Sequence, residues 1–498
     1  MKLRHIILAA AALALASAPA DARSTKRGVC AKFSYIEEMQ YLEPGCFWWY
    51  NWGQLPGSGF KGELKDYDSS MAFIPMCWNG NYSADDIRSY CKAHPEVKYL
   101  LGFNEPNFKA QANMTPAEAA EKWPEVQALA KELGLQLVAP ALNYSPDAPY
   151  TDPTRWMDEF VALVGSDAFD FTAIHNYGGL GVMKTLGGRF HDKYGKPVWV
   201  TEFCQWPGGA GNVFVAPDTQ IASMVETLEW LEKTPWIHAY SWFMAQGPYN
   251  ASNRANYGLV ANQVDENGRV VVVNGRPVPF LTPQGKVYTH LWDFDPEYAH
   301  PVGERFSAAD FHARNSALVN AGACPDAPKP IEISQFNAGA TLDYRFDIPE
   351  AGDYTLELVV SGVGEPVRFD PNIAVVEAKE DGTEGAVLAE GRKFTLPGAD
   401  DSYKTETFSL TLPAGIVTLR LKDLAVYQPS GIRISSLRLV STAGIDAVAV
   451  GSDVAPATVD VFDMLGRRIR AGVDPAAAAT GLPAGIYVIG GKKVSVRN

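Results

Sequence analysis

The sequence predicts an α/β protein, a (β/α)8 TIM barrel followed by an all-β sandwich and a small C-terminal β module. Three observations carry this reading. Eight short β-rich runs alternate with helical stretches between residue 26 and about residue 294, the texture of repeated βα units around a parallel sheet. From about Phe306 that texture gives way to alternating strands broken by turns, without helical periodicity. The length of 498 residues allows two to four domains at roughly 150 residues each, so one large core with smaller modules is expected.

Taken in order, residues 1–22 read as a secretory signal: Lys2, Arg4 and His5, then the apolar run Ile6 to Leu15, then small residues ending Ala20-Asp21-Ala22. A secreted protein is therefore expected, extracellular or at the cell surface, or periplasmic if only the signal acts. The barrel is assigned to residues 23–305. Its predicted strands are Arg27 to Lys32, Phe47 to Trp52, Met71 to Trp78, Lys98 to Asn104, Gln136 to Leu142, Phe169 to Tyr177, Pro197 to Phe203 and Ile237 to Phe243. Among the helices, Thr115 to Leu133 opens on a Thr115/Glu118 capping box and repeats Trp123, Val126, Leu129, Ala130 and Leu133 at helical spacing. A second runs from Asp218 to Lys233. The sandwich is assigned to 306–441, with strands Thr341 to Ile348, Tyr354 to Val360, Ala374 to Lys379, Phe408 to Leu412, Val417 to Leu421 and Ile432 to Leu439. A Gly/Ala/Pro-rich linker, 442–457, leads to the β module at 458–498.

Composition removes several function classes. With 57 acidic against 43 basic residues, a formal charge of -14, the chain has no basic footprint for phosphates, and nucleic acid is excluded as a partner. Beyond the signal, no run reaches the roughly 18 apolar residues of a membrane helix. Six cysteines without a C-x-x-C pair read mostly as buried small residues. Gly57-Ser-Gly-Phe-Lys-Gly62 fits a dinucleotide fingerprint but lacks the helix that would cradle a pyrophosphate, so it reads as a loop. No G-x-S-x-G, H-E-x-x-H or Walker A sequence occurs, and the eight His lack ligand spacing; no cofactor and no metal are expected. The 12 Trp and 21 Tyr favour surfaces that stack on flat ligands, sugars foremost. The chain is expected to act as a monomer.

In a barrel the chemistry sits at the C-terminal strand ends. Glu105 follows the fourth predicted strand in Gly102-Phe-Asn-Glu-Pro-Asn, and Glu202 ends the seventh in Val198-Trp-Val-Thr-Glu-Phe, settings where an unused charge is costly. Two carboxylates facing one sugar ring are the machinery of glycoside hydrolysis, and strands four and seven can bring them to the roughly 5–5.5 Å of a retaining enzyme. The acid's pKa is expected to be raised by the neighbouring carboxylate. Trp52, Trp78 and Trp242 at the ends of strands two, three and eight are stacking candidates. Of the adjacent Trp48 and Trp49, one faces the lumen or mouth and the other the helices, and Trp49 is taken as the binding residue. Trp206, past Glu202, is a candidate cleft wall, and Tyr144 a candidate at the end of strand five. His175 and Tyr177 alternate on strand six and point the same way, where Tyr177 can hydrogen-bond Glu202 and His175 can position it.

These residues carry a resemblance. Asn104-Glu105-Pro106 and Glu202 resemble the clan A glycoside hydrolases. The ordered runs Lys26-Arg-Gly28, Trp48-Trp-Tyr-Asn-Trp52, Phe103-Asn-Glu-Pro-Asn107, Ile174-His-Asn-Tyr177 and Trp199-Val-Thr-Glu-Phe203 resemble glycoside hydrolase family 128, the alkali-sensitive-linkage-protein-like catalytic domain. The resemblance implies a retaining endo-β-1,3-glucanase acting on β-glucan, with Glu105 as acid/base, Glu202 as nucleophile and Asn104 bonding the sugar 2-hydroxyl. Two other readings stay open: a non-catalytic glycan-binding protein on the same scaffold, and a clan A hydrolase of β-1,4-mannan or xylan. The sandwich resembles carbohydrate-binding modules of families 6 and 35. It contains no Trp, so stacking would fall to Tyr403 or Tyr427. The tail, with Met464-Leu-Gly-Arg and Leu482-Pro-Ala-Gly-Ile-Tyr, resembles the C-terminal sorting domain of Bacteroidetes type IX secretion cargo.

Overall fold

The structure, a computed structural model, describes residues 24–57, 67–207, 213–291, 298–315, 319–362, 371–396, 402–425 and 431–442, and within the tail 459–463, 468–473, 477, 480, 482, 485–489 and 492–496. The signal segment, the loop beyond Gly57, Tyr427 and the linker beyond residue 442 lie outside these residues. The chain divides into two compact units at Val440/Ser441, so barrel and sandwich share the first.

The barrel strands are β1 (Arg27–Cys30), β2 (Trp48–Tyr50), β3 (Ala72–Phe73), β4 (Tyr99–Leu101), β5 (Gln136–Leu142), β6 (Phe171–Asn176), β7 (Val198–Phe203) and β8 (Ile237–Trp242). They form one parallel eight-stranded sheet, in the order β3-β2-β1-β8-β7-β6-β5-β4. The ring closes through a parallel bridge between Met76 and Leu101, with Cys77 N donating to Leu101 O (2.9 Å) and Asn104 N to Trp78 O (2.9 Å). The predicted (β/α)8 barrel is the observed fold. Each predicted run contains its strand.

Around it lie α1 (Ile36–Leu42), α2 (Ala84–Ala93), α3 (Pro116–Leu133), α4 (Pro153–Val164), α5 (Gly179–Tyr194), α6 (Pro217–Lys233) and α7 (Pro283–His290). The predicted capping box is present at α3: Thr115 N donates to Glu118 Oε2 at 2.7 Å and Glu118 N to Thr115 Oγ1 at 3.2 Å. Trp123, Val126, Leu129 and Ala130 form its buried stripe, and Gly134, at φ +67°, stops it in the left-handed conformation.

The bottom of the barrel is pinned by the Lys26-Arg27-Gly28 run. Lys26 Nζ bonds the carbonyls of Leu231 (3.2 Å) and Glu232 (2.9 Å) in the last turn of α6 and that of Thr234 (3.0 Å) just past it, a cation at a helix C-terminus. Arg27, 2% exposed, donates to Tyr240 Oη and the Tyr288 carbonyl at 2.8 Å each and to Glu232 Oε1 at 3.2 Å. A Cβ at position 28 would meet the Trp48 ring at 2.3 Å, so only glycine lets that indole lie across β1 inside the lumen. Trp48 sits edge-on to Trp199 there, with ring centroids 5.0 Å apart, and Tyr99, Phe171 and His238 complete an aromatic floor. The barrel is thus a packed core with its chemistry confined to the upper end.

The sandwich follows as two six-stranded sheets. One contains Thr341–Ile348, Gly415–Asp423, Asn372–Ala378 and Glu384–Lys393; the other contains Val319–Ala323, Ile331–Phe336, Ile432–Ser441, Gly352–Gly362 and Lys404–Leu412. The alternation of Val417, Leu419 and Leu421 inward against Thr418, Arg420 and Lys422 is the period of a half-buried strand. Sequence periodicity missed the short strands His300–Pro301, Arg305–Ser307 and Ala313–Arg314 and three longer ones. Glu384–Lys393 has no buried residue and so shows no alternation, Val319–Ala323 reads Val-Asn-Ala-Gly-Ala, and Ile331–Phe336 is interrupted by Glu332, which Arg433 and Tyr403 satisfy at 2.8 and 2.7 Å. Arg314 (3% exposed) pairs with Glu229 of α6 at 2.9 Å, fastening the sandwich to the barrel's helical layer. The second unit is a four-stranded antiparallel sheet of Val459–Asp463, Arg468–Val473, Gly485–Ile489 and Lys492–Val496. Among the described residues no helix is long and apolar enough to cross a membrane.

Candidate active site

Glu105 and Glu202 reach the mouth by two local departures from regular structure. In β7 the inward residue Trp199 is followed by outward Val200, so strict alternation would turn Glu202 toward the helices. The β6–β7 register shifts there: Ile174 pairs with Val200 but His175 with Glu202. That extra residue, Thr201, is a β-bulge, and it re-aims Glu202 into the lumen. Glu105 follows β4 through a bridge between Asn104 and Ala141, donates its N–H to Ala141 O (2.9 Å) and holds φ at +43°. A non-glycine residue there is strained by about 1 kcal/mol or more, and such strain concentrates at functional sites. Trp52 shares the feature at φ +65°.

The two carboxylates meet at His175. Its Nδ1 lies 2.8 Å from Glu105 Oε1 and 3.3 Å from Glu202 Oε2, and one oxygen of each carboxylate and the ring nitrogen all fall within 4.8 Å of one another. Glu105 is 6% exposed and Glu202 4%. Glu202 Oε1 accepts from Trp52 Nε1 at 2.7 Å and faces the Tyr50 hydroxyl at 3.2 Å, which also lies 3.1 Å from the Thr201 carbonyl. Its Oε2 accepts from the Tyr177 hydroxyl. Burial raises the Glu202 pKa; His175, Tyr177 and Trp52 oppose that shift, and Glu105 adds to it. For His175, burial alone would favour the neutral ring, but the two carboxylates outweigh it and raise its pKa. His175 Nε2 is buried with no partner among the described residues, so the neutral ring is best satisfied with its proton on Nδ1, shared by the two acids. The same three donor atoms are close enough to bridge a cation.

Glu105, Glu202, His175, Tyr177 and Trp52 are therefore brought together. Asn104 lies buried beside Glu105; its Nδ2 donates to Gln111 Oε1 at 3.3 Å, and its Oδ1 has no partner among the described residues. Trp206 stands against Tyr177 (centroids 6.0 Å) and, with Phe243 and Tyr257 at 6.3 and 5.6 Å, forms an aromatic wall. Trp78 is half-buried against the lumen cluster. Tyr144 is 41% exposed, and neither carboxylate takes a hydrogen bond from it.

Two expected binding residues are placed elsewhere. Trp49, 2% exposed, faces the helices and packs edge-on to Phe33 and Phe73 at 5.0 and 4.8 Å. Trp242, 1% exposed, also faces outward, packs on Phe203 at 5.1 Å and donates Nε1 to Tyr257 O at 2.8 Å. Neither can stack on a sugar. Tyr50 and Phe243 take the inner positions instead, and the signal for Tyr50 lay in strand parity: residues 48, 50 and 52 share a face, so choosing Trp52 selects Tyr50 and rejects Trp49. On β8 the small Ala239 and Ser241 face the crowded lumen, leaving Tyr240 and Trp242 to the outer core. In the sandwich, Tyr403 is held by its bond to Glu332, and Arg433 lies 5.3 Å over its ring.

Residues 30–271 match the family model described as the glycosyl hydrolase catalytic core. Among curated relatives, Alkali-sensitive linkage protein 1 of Schizosaccharomyces pombe is 25% identical over 243 residues, 47% of this chain and 41% of that protein, so the match spans less than half of the relative. Among solved structures, a GH128 (subgroup II) endo-beta-1,3-glucanase from Pseudomonas viridiflava is 30% identical, covering 54% of this chain and 98% of its own, with a TM-score of 0.44. A GH128 (subgroup I) endo-beta-1,3-glucanase from Amycolatopsis mediterranei, in complex with laminaritriose, is 24% identical over 54% and 99% of the two chains, with a TM-score of 0.40. With its carboxylates at the ends of strands four and seven, the barrel of this chain thus matches, over residues 30–271, the glycosyl hydrolase catalytic core that its sequence motifs led us to expect.

Proposed function

We propose that the chain is a secreted, retaining glycoside hydrolase of the endo-β-1,3-glucanase type. The observation that carries the reaction is the pair Glu105 and Glu202, buried and joined through His175 with one oxygen of each within 4.8 Å. So close an approach supports the closely spaced pair of a retaining enzyme over the wider pair that seats a water in an inverting one. Glu202, with Trp52 and Tyr177 donating to it, is held as an oriented anion and attacks the anomeric carbon. Glu105 gives its proton to the departing glycosidic oxygen. Once Glu202 is esterified its charge is gone, and Glu105 takes a proton from the water that attacks the glycosyl-enzyme, releasing sugar and restoring both acids. Asn104, with a free acceptor beside Glu105, takes the sugar 2-hydroxyl. The aromatic wall of Trp206, Phe243 and Tyr257 is the stacking surface.

The β-1,3 linkage rests on the five ordered motifs resembling family 128. Secretion rests on the signal-like N-terminus, and the sorting role of the tail and glycan contact by the sandwich rest on resemblance. The full chain, assayed for reducing ends on β-1,3-glucan, mixed-linkage glucan, xylan and mannan, is expected to cleave β-1,3-glucan and to lose that activity in Glu202→Gln. Cleavage of mannan or xylan alone would move the proposal to a β-1,4 hydrolase, and binding without cleavage would make the barrel a glycan-binding scaffold.

A further inference from the structure

Between β8 and α7 the chain leaves the barrel for about forty residues and builds a second concave surface. Val260–Asn262 pairs with Pro279–Leu281, Val272–Val273 pairs with Arg276–Pro277, and with Glu38 of α1 this excursion lines an open cavity of about 700 Å³. Its lining is chemically distinctive. Tyr249 and Phe280 stand edge to face with centroids 5.8 Å apart, and Gln246, Asn250, Asn262 and Gln263 share the lining with them. No lysine or arginine lines it, and its one carboxylate, Glu38, is already engaged as the cap of α1, accepting from Ser34 N at 2.7 Å and Tyr35 N at 3.2 Å. A cavity with aromatic faces and neutral two-way hydrogen-bonding groups suits a neutral polyhydroxylated ligand and offers nothing to an anion. At its rim Val264 and Val270 are 59% and 47% exposed, and Val272 and Val273, at 55% each, extend the same apolar edge. Exposed apolar residues grouped in one segment mark a contact surface.

A chain of contacts links the cavity wall to the candidate active site. Gln246 Oε1 accepts from Lys32 N at 3.2 Å, Lys32 Nζ lies 5.5 Å over the Trp52 ring, and Trp52 donates to Glu202. Lys32 also lines a neighbouring hollow of about 450 Å³ with Asn51 and Leu55. Lys32, in the loop after β1, thus borders the second hollow and touches both Gln246 of the cavity lining and Trp52 beside Glu202.

We propose that this cavity is an accessory glycan-binding site that holds a stretch of neutral glucan chain away from the bond being cut, with Tyr249 as its stacking face. The proposal rests on the glucanase reading. Its test compares polymer with trisaccharide in the full-length protein. The ratio of kcat/KM on a soluble polymeric β-1,3-glucan to that on laminaritriose is expected to fall about tenfold in Tyr249→Ala, the scale of one lost aromatic contact, and to persist in Tyr249→Phe, with melting temperatures recorded for each. Retardation of Glu202→Gln in gels containing the polymer is expected to weaken when Tyr249→Ala is added. An unchanged ratio, or equal losses on both substrates, overturns the accessory site while leaving the glucanase reading intact. If the wild type cleaves no glucan, that reading falls first, and the retardation of Glu202→Gln with and without Tyr249→Ala still decides whether the cavity binds glycan.

Discussion

At the scale of single residues the site is governed by what surrounds Glu202. Removing one donor from a charged acceptor costs about 1.5–3 kcal/mol, so Tyr177→Phe is expected to lower kcat by roughly ten- to a hundredfold, measured in steady-state kinetics. Burial raises the Glu202 pKa above its ordinary 4.5, which means that the folded protein binds this proton more tightly than the unfolded chain. Stability from that source is present below the unfolded pKa and is lost as pH rises through the folded one. Glu202→Gln, which cannot ionise, is therefore expected to show little advantage at the acid end and to gain over the wild type as pH climbs, by ~1.4 kcal/mol for each pH unit of the raised window. Chemical denaturation of both proteins across the acid-to-neutral range reads this directly, and a constant difference would contradict it. Both carboxylates were legible in the sequence from their strand-end positions. The inward turn of Glu202 was not, because it depends on a bulge at Thr201 that shows only in the pairing with β6.

Elements decide which side of the wall a ring occupies. Trp49 and Trp242 were expected in the cleft, yet each sits in the layer between strands and helices. Trp49→Ala is accordingly expected to destabilise the protein by about 3–5 kcal/mol while leaving KM for glucan unchanged in the folded fraction; a raised KM without loss of stability would return Trp49 to the cleft. Strand and helix positions were readable because hydrophobic period and capping are local, as at Thr115 and Glu118. The facing of adjacent aromatics was less so, since apolar residues occupy both sides of a barrel strand and alternation no longer separates core from lumen. Glu384–Lys393 shows the converse, a strand with no buried face and hence no pattern to read.

For the whole molecule, the first unit joins barrel and sandwich, and the buried Arg314 to Glu229 contact is part of that joint. Glu229→Ala leaves the Arg314 guanidinium without this carboxylate and is expected to cost about 3 kcal/mol in urea unfolding of the full chain; a loss confined to the sandwich signal would show that the two parts unfold separately. The central claim, however, is chemical: Glu105 and Glu202 act as a double-displacement pair on β-1,3-glucan. The most direct measurement is proton NMR of the sugar released in the first moments of digestion, before mutarotation, by the full-length protein and by Glu202→Gln. Appearance of the β-anomer first, with no product from Glu202→Gln, is the predicted result, whereas initial α-anomer would assign a single displacement and contradict the role given to Glu202.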